Sequence, residues 1–126
     1  EVIESRQHLL QFTKRIPPEM NAQVWPQMTR VLLDRIDKKI SDVNHFFFTQ
    51  INIGTIKETM QILDQPMSKA HNIMDQYGYT GSACIPMAID DAVTHHKLKK
   101  GDLLLILGSG GGMSMAGMTM RWSYDT

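Results

Sequence analysis

Two short stretches of this 126-residue chain are apolar without alternation. "HFFFTQ" carries Phe46, Phe47 and Phe48 in a row, and "LLLIL" fills positions 103–107. Runs of this size without polar alternation predict strands covered on both faces. Around them, apolar positions recur at helical spacing. Trp25, Met28, Leu32, Leu33 and Ile36 share one face, with Pro26 expected in the first turn, where a missing N–H is harmless. Ile53, Ile56, Met60 and Leu63 form a second helix face that ends before Pro66. Val2, Ile3, Leu9, Leu10, Phe12 and Ile16 give a looser helical pattern over 1–16, stopped by Pro17-Pro18.

Further along, "HNIMD" at 71–75 reads as a short strand. Gly78 and Gly81 bracket a turn. Ser82 is expected to cap a helix running to about His95, with Pro86 in its first turn. "KKGD" turns into the second apolar run. After "GSGGG", Met118, Met120 and Trp122 alternate with Thr119 and Arg121, the period of a strand. Helices alternating with buried strands predict an α/β fold, with no internal repeat.

Composition narrows the function classes. Lys plus Arg is 13 and Asp plus Glu is 13, so there is no basic footprint for nucleic acid. No apolar run approaches the roughly 20 residues that a membrane-spanning helix needs. A single cysteine makes no internal disulfide, which fits a reducing, cytoplasmic setting. The chain opens "EVIESRQ", with no initiator methionine and no targeting pattern, and is expected to be a piece of a longer protein.

Candidate chemistry is sparse. Cys84 sits near a predicted helix start, where a helix dipole favours thiolate. Its neighbours Ala83, Ile85 and Pro86 are apolar, so a packing role is expected. His95 and His96 point about 100° apart on a helix and make a poor metal pair; they read as a solvated helix end. His8, His45 and His71 form no ligand spacing. "GSGGG" is not a dinucleotide fingerprint, because Met113 stands where a glycine is required and a strand follows. Two readings of that loop stay open: a plain hairpin turn, or bare backbone that admits a ligand or donates N–H groups to an oxyanion. The ten methionines, four of them clustered at 113–120, are expected to pack a core; the alternative is the lining of an apolar channel.

Three stretches taken together resemble one family. "DQYGYTGSACIPMAIDDAV" is similar to the turn and helix of β-ketoacyl-acyl-carrier-protein synthase III. "KLKKGDLLLILGSGGGMSMAGMTMRW" resembles its C-terminal hairpin, and "HFFFTQIN" its histidine strand, where the pattern is His-Gln-Ala-Asn. The resemblance covers residues 25–122. Residues 1–126 are read as one synthase III-like C-terminal domain, with 1–24 as an N-terminal segment.

The resemblance implies a thiolase-type fold, of which this chain is the C-terminal half of an αβαβα enzyme. It implies a 3-oxoacyl-carrier-protein synthase III-like acyltransferase of fatty-acid or related metabolism. A cysteine of the absent N-terminal half takes an acyl group from a coenzyme A or carrier-protein thioester. A histidine and an asparagine of the C-terminal half then promote condensation with a malonyl unit, and the central glycine of the loop stabilises the oxyanion. Here Gly111 matches that glycine, and Gly110 beside it is read as substrate-binding. Gln50 and Asn52 match the second and fourth residues of His-Gln-Ala-Asn, and Asn52 is read as substrate-binding. Thr49 stands at the histidine and Tyr79 at the asparagine. Threonine has a hydroxyl but is no base near pH 7, so ordinary condensation is not expected.

The resemblance implies no cofactor and no metal. The implied partners are an acyl-coenzyme A or acyl-carrier-protein thioester, the N-terminal half, and a second copy in a homo-oligomer. The alternative is a non-catalytic binding subunit of a ketosynthase-like complex. A third reading gives the piece a function of its own. Against it, the apolar strands and glycine loop are expected to need cover from the other half, leaving exposed apolar surface when alone.

Overall fold

The computed structural model describes residues 3–5, 17 and 19–126. The helix expected over 1–16 lies almost wholly outside the described residues. The chain folds as α1 (Met20–Asp34), β1 (His45–Phe48), α2 (Ile53–Ile62), β2 (Ala70–His71), α3 (Met74–Tyr77), α4 (Cys84–Thr94), β3 (Leu103–Gly110) and β4 (Ser114–Arg121). The expected α/β architecture is present: a mixed four-stranded sheet in the order β2-β1-β3-β4. Strand β1 pairs in parallel with β2 and β3, and β3 pairs antiparallel with β4.

The apolar runs do what their lack of alternation requires. Phe46 and Phe48 of β1 and Leu103, Leu105 and Leu107 of β3 face one side, packed with Trp25 and Leu33 of α1 and Ile56 and Met60 of α2. Phe47 and Leu104 face the other side, against Ala88 and Ala92 of α4. Successive strand side chains point to opposite faces, so consecutive phenylalanines feed two cores. Both strands are thus covered within the chain, which corrects the expectation that they need another half to bury them. Cys84 is buried at the start of α4, four residues before Ala88 on the face that meets the sheet.

Several boundaries differ from the sequence expectation. Helix α1 begins at Met20, so Pro26 lies in its interior and not its first turn. The missing N–H costs one helical bond; burial of Pro26 together with Trp25 and Ala22 opposes that cost. Ile36 lies beyond the helix and is exposed. The strand expected at 71–75 is only Ala70–His71, and Met74–Tyr77 is a single helical turn. Ser82 caps nothing: it lies in a 3₁₀ turn, Gly81–Ala83, and α4 starts after it. The methionines pack the core only in part: Met120 lies against the α4 side of the sheet, and Met28, Met67 and Met74 lie against the α1–α2 side. Met113 and Met118 are exposed, and the buried methionine of the core is Met60. Strand β4 crosses under α1 at Gly117, where a Cβ would stand 2.6 Å from Leu107 Cδ2 and 2.8 Å from Leu32 Cδ1. That close approach is why an interior strand position is glycine.

Two histidines read as scattered are paired. His71 Nε2 lies 2.7 Å from Asp91, and His45 Nε2 lies 3.2 Å from Asp102. Lys97 Nζ approaches His71 Nδ1 at 3.4 Å. An ammonium only donates, so Nδ1 accepts and Nε2–H donates to Asp91, which assigns a neutral imidazole. Burial lowers both pKa values below the ordinary 6.5, outweighing the upward pull of Asp91 on His71 and of Asp102 on His45. Lys97 lowers both further, and Lys69 adds to this at His45. The unfolded chain therefore takes up protons at a pH where the folded chain resists them. Stability is expected to fall as pH drops below about 6.5, the unfolded value, and to level off below the folded values. Thermal unfolding midpoints between pH 7.5 and 5 check this. His71→Gln should flatten the curve, and an unchanged slope would contradict the assignment.

Candidate active site

The carboxyl ends of parallel strands are where α/β folds leave room for ligands. Here β1 runs out into Thr49–Asn52, and β3 into the glycine loop. The segment after β2 and α3 carries Tyr79 to the mouth of α4. A cavity of about 400 Å³ opens where these meet. Thr49, Asn52, Tyr79, Gly110 and Gly111 all line it, so the structure brings the five residues singled out in the sequence to one place. A second cavity, of about 510 Å³, shares Thr49, Tyr79, Gly110 and Gly111 and extends past Cys84. The wall of the first is apolar, from Met20, Trp25, Ile51, Met113 and Met115. Of the two readings for the clustered methionines, lining a channel fits Met113 and Met115. Among the described residues, no Asp, Glu, Lys, Arg or His lines the cavity. Among the described residues, no group of acidic, His and Cys side chains converges to hold a metal ion. None of their helices is long and apolar enough to cross a membrane.

Thr49 is buried, and its polar atoms are engaged. Its N–H donates to Leu107 O at 3.1 Å, continuing the β1–β3 ladder. Its Oγ1 accepts the Ser109 N–H at 2.8 Å and approaches Ser109 O at 3.5 Å. As β1 veers from β3, the threonine side chain takes over the pairing that backbone would supply, because a buried N–H left unpaired is costly. Thr49→Val keeps the shape and removes the acceptor. It is expected to lower stability by about 1–3 kcal/mol, with Thr49→Ser losing less. Thermal unfolding checks this, and a Val variant as stable as the parent would contradict it.

Asn52 caps α2: its Oδ1 accepts the Gly54 N–H at 2.8 Å. That bond fixes the amide orientation, and Nδ2 makes no hydrogen bond among the described residues. Gln50, fully buried, spends both ends of its amide on the segment after β2, donating to His71 O at 3.2 Å and accepting from Ile73 N at 2.9 Å. It anchors the stretch that leads to Tyr79. Gly78, with φ 65° and ψ −148°, occupies a region open essentially to glycine alone and turns the chain into Tyr79. Tyr79 is 50% exposed, and its hydroxyl has no partner among the described residues. At the hairpin tip, Met113 is held at φ 60°, an uncommon conformation for a non-glycine residue.

One polar cluster escapes sequence reasoning. Trp25 Nε1–H donates to Ser109 Oγ at 3.0 Å, and Ser109 Oγ donates to Asn21 Oδ1 at 2.9 Å. Partners that far apart in sequence leave no local signal. The one hint is that serine is the only side chain with a polar group in "GSGGG".

Residues 33–122 match the family described as 3-oxoacyl-[acyl-carrier-protein (ACP)] synthase III C terminal. The chain belongs to this family.

The β-ketoacyl-[acyl-carrier-protein] synthase III of Syntrophomonas wolfei is 30% identical over 125 residues, which are 99% of this chain and 38% of that relative. The crystal structure of 3-oxoacyl-[acyl-carrier-protein] synthase III from Aquifex aeolicus superposes with a TM-score of 0.78 at 28% identity, covering 80% of this chain and 33% of that one. The β-ketoacyl-[acyl carrier protein] synthase III from Thermus thermophilus gives a TM-score of 0.80 at 25% identity, over 83% of this chain and 33% of that one. The fold is thus the thiolase-like α/β fold of synthase III, and the chain spans little more than a third of the length of these relatives.

Proposed function

We propose that this chain is the C-terminal half of a synthase III-like acyltransferase that acts on coenzyme A or carrier-protein thioesters with altered chemistry. The observation that carries the reading is the meeting of Thr49, Asn52, Tyr79, Gly110 and Gly111 around one cavity with an apolar wall. In this reading the nucleophilic cysteine belongs to the other half. The Gly111 N–H serves as an oxyanion donor in acyl transfer, and Asn52 Nδ2 and Tyr79 Oη are the open donors for substrate. Thr49 stands in place of the family's histidine, and its hydroxyl is held by Ser109. Tyr79 stands in place of the asparagine. Among the described residues the cavity offers no base, so the replacement of the family's histidine by Thr49 weighs against a base-driven condensation. Transfer or hydrolysis of an acyl group keeps the donors it needs.

The test is incubation of the intact protein with acyl-coenzyme A of several chain lengths, followed by mass analysis. The expected result is an acyl adduct on a cysteine of the N-terminal half and none on Cys84. Absence of any adduct would overturn the reading.

A second reading, a binding subunit that pairs with an active ketosynthase, is favoured by the presence of Thr49 and Tyr79 where the family has its histidine and asparagine. It predicts no adduct and a residue other than cysteine at the nucleophile position.

A further inference from the structure

We propose that Ser109 is a positioning residue that fixes the glycine loop, and with it the Gly111 N–H, at the edge of the cavity. The inference rests on the acyl-transfer reading for its effect on rate but not for its effect on the loop. Gly110 closes the β3–β4 ladder opposite Ser114, and beyond it Gly111 and Gly112 carry no side chain that anchors them, so the tip depends on how firmly the end of β3 is held. Ser109 is held on every polar atom. Its N–H donates to Thr49 Oγ1 at 2.8 Å, and its carbonyl faces the same hydroxyl at 3.5 Å. Its own hydroxyl accepts from Trp25 Nε1–H at 3.0 Å and donates to Asn21 Oδ1 at 2.9 Å.

The proton directions are set by the indole and by the placement of the Asn21 amide oxygen toward Ser109. An indole N–H only donates, so Ser109 Oγ accepts there and gives its proton to the asparagine oxygen. Trp25 is itself immobile: it is buried and stacked on Phe48, with ring centroids 5.0 Å apart. Helix α1 thus grips the end of β3 through two side chains, and β1 grips it through a third. A donor aimed at developing charge works only if it is already in place when the charge forms. Ser109 supplies that placement two residues before Gly111, without touching a substrate itself.

The test uses Ser109→Ala, Trp25→Phe and the double variant in the intact protein, with two readouts. The first is amide hydrogen exchange of the segment 110–113. It is expected to speed up about tenfold in Ser109→Ala, while exchange in β1 stays as in the parent. The second is acylation by acyl-coenzyme A. Ser109→Ala is expected to slow the maximal rate roughly five- to tenfold with KM little changed, the low end of what loss of the two hydroxyl hydrogen bonds predicts. Trp25→Phe should do part of the same, and the double variant should be no slower than Ser109→Ala, since both act through one contact. Ser109→Thr, which keeps the hydroxyl, should recover most of the rate.

Parent-like exchange in the loop of Ser109→Ala would overturn the inference, whatever the rates. So would a mobile loop with a parent-like acylation rate. If the parent protein itself forms no acyl adduct, the acyl-transfer reading fails, and the positioning role then stands or falls on the exchange measurement alone.

Discussion

Gly111→Pro in the intact protein is expected to lower acyl transfer by about 10²–10³-fold, the usual loss when one oxyanion donor is removed. The substitution is matched to the site. Proline deletes the N–H and little else where the backbone already suits it. Gly111 lies outside the left-handed region, and Gly110 before it is extended at φ −132° and ψ 172°, as a residue preceding proline prefers. Gly111→Ala is the control. A Cβ there meets nothing within 4 Å, so alanine keeps the donor without a clash and should stay near parent activity. Equal losses in both variants would indicate damage to the loop and not to the donor. Equal retention would remove Gly111 from the chemistry.

Phe48→Ala is expected to produce the largest loss of stability, about 3–5 kcal/mol. The ring is fully buried between Trp25, at 5.0 Å, and Phe46, at 6.0 Å. Native domains rest on only about 5–15 kcal/mol in all, so the unfolding midpoint should fall by more than about 10 °C. A drop under about 1 kcal/mol would mean that the site collapses around the cavity without penalty. The effect should also reach function, because Phe48 carries Trp25 and Trp25 holds Ser109. Partial loss of acylation well below the melting temperature is the expected sign.

The parts of the fold that were legible were those in which one physical term dominates. Phe46–Phe48 and 103–107 are too apolar to be anything but doubly covered strands. Strand β2 was misplaced because Ile73 and Met74 look like strand residues. Ile73 instead buries itself at a turn, held there by Gln50, a bond from 23 residues away. The start of α1 was missed because its first buried residue is Ala22, which carries little apolar signal, and because Pro26 reads as a beginning. Ser82 has the right chemistry for a cap, but Gly81 at φ 63° turns the chain into a 3₁₀ turn first.

At the site, Thr49 and Tyr79 have no property that marks them, and Gly111 is marked only as one of a run of glycines. They stood out through family resemblance, and their meeting around one cavity required the sheet order. The Trp25–Ser109–Asn21 cluster was not legible at all, since its bonds join positions 84 and 88 residues apart. The His71–Asp91 pair was hidden in the same way, because nothing in the sequence says that β2 runs beside α4.

The insertion of β3 beside β1 has a consequence for the order of folding. Thr49 meets Ser109 across 60 residues, and α1 reaches the same serine across a longer span still. Closing such loops costs entropy before any contact repays it, so these pairings form slowly. During synthesis α1, β1 and α2 are complete long before β3 exists, and until then Phe46 and Phe48 lack half their cover. A chain released before β3 would leave Phe46 and Phe48 half covered and would have no cavity. Site and core are therefore finished in a single late step.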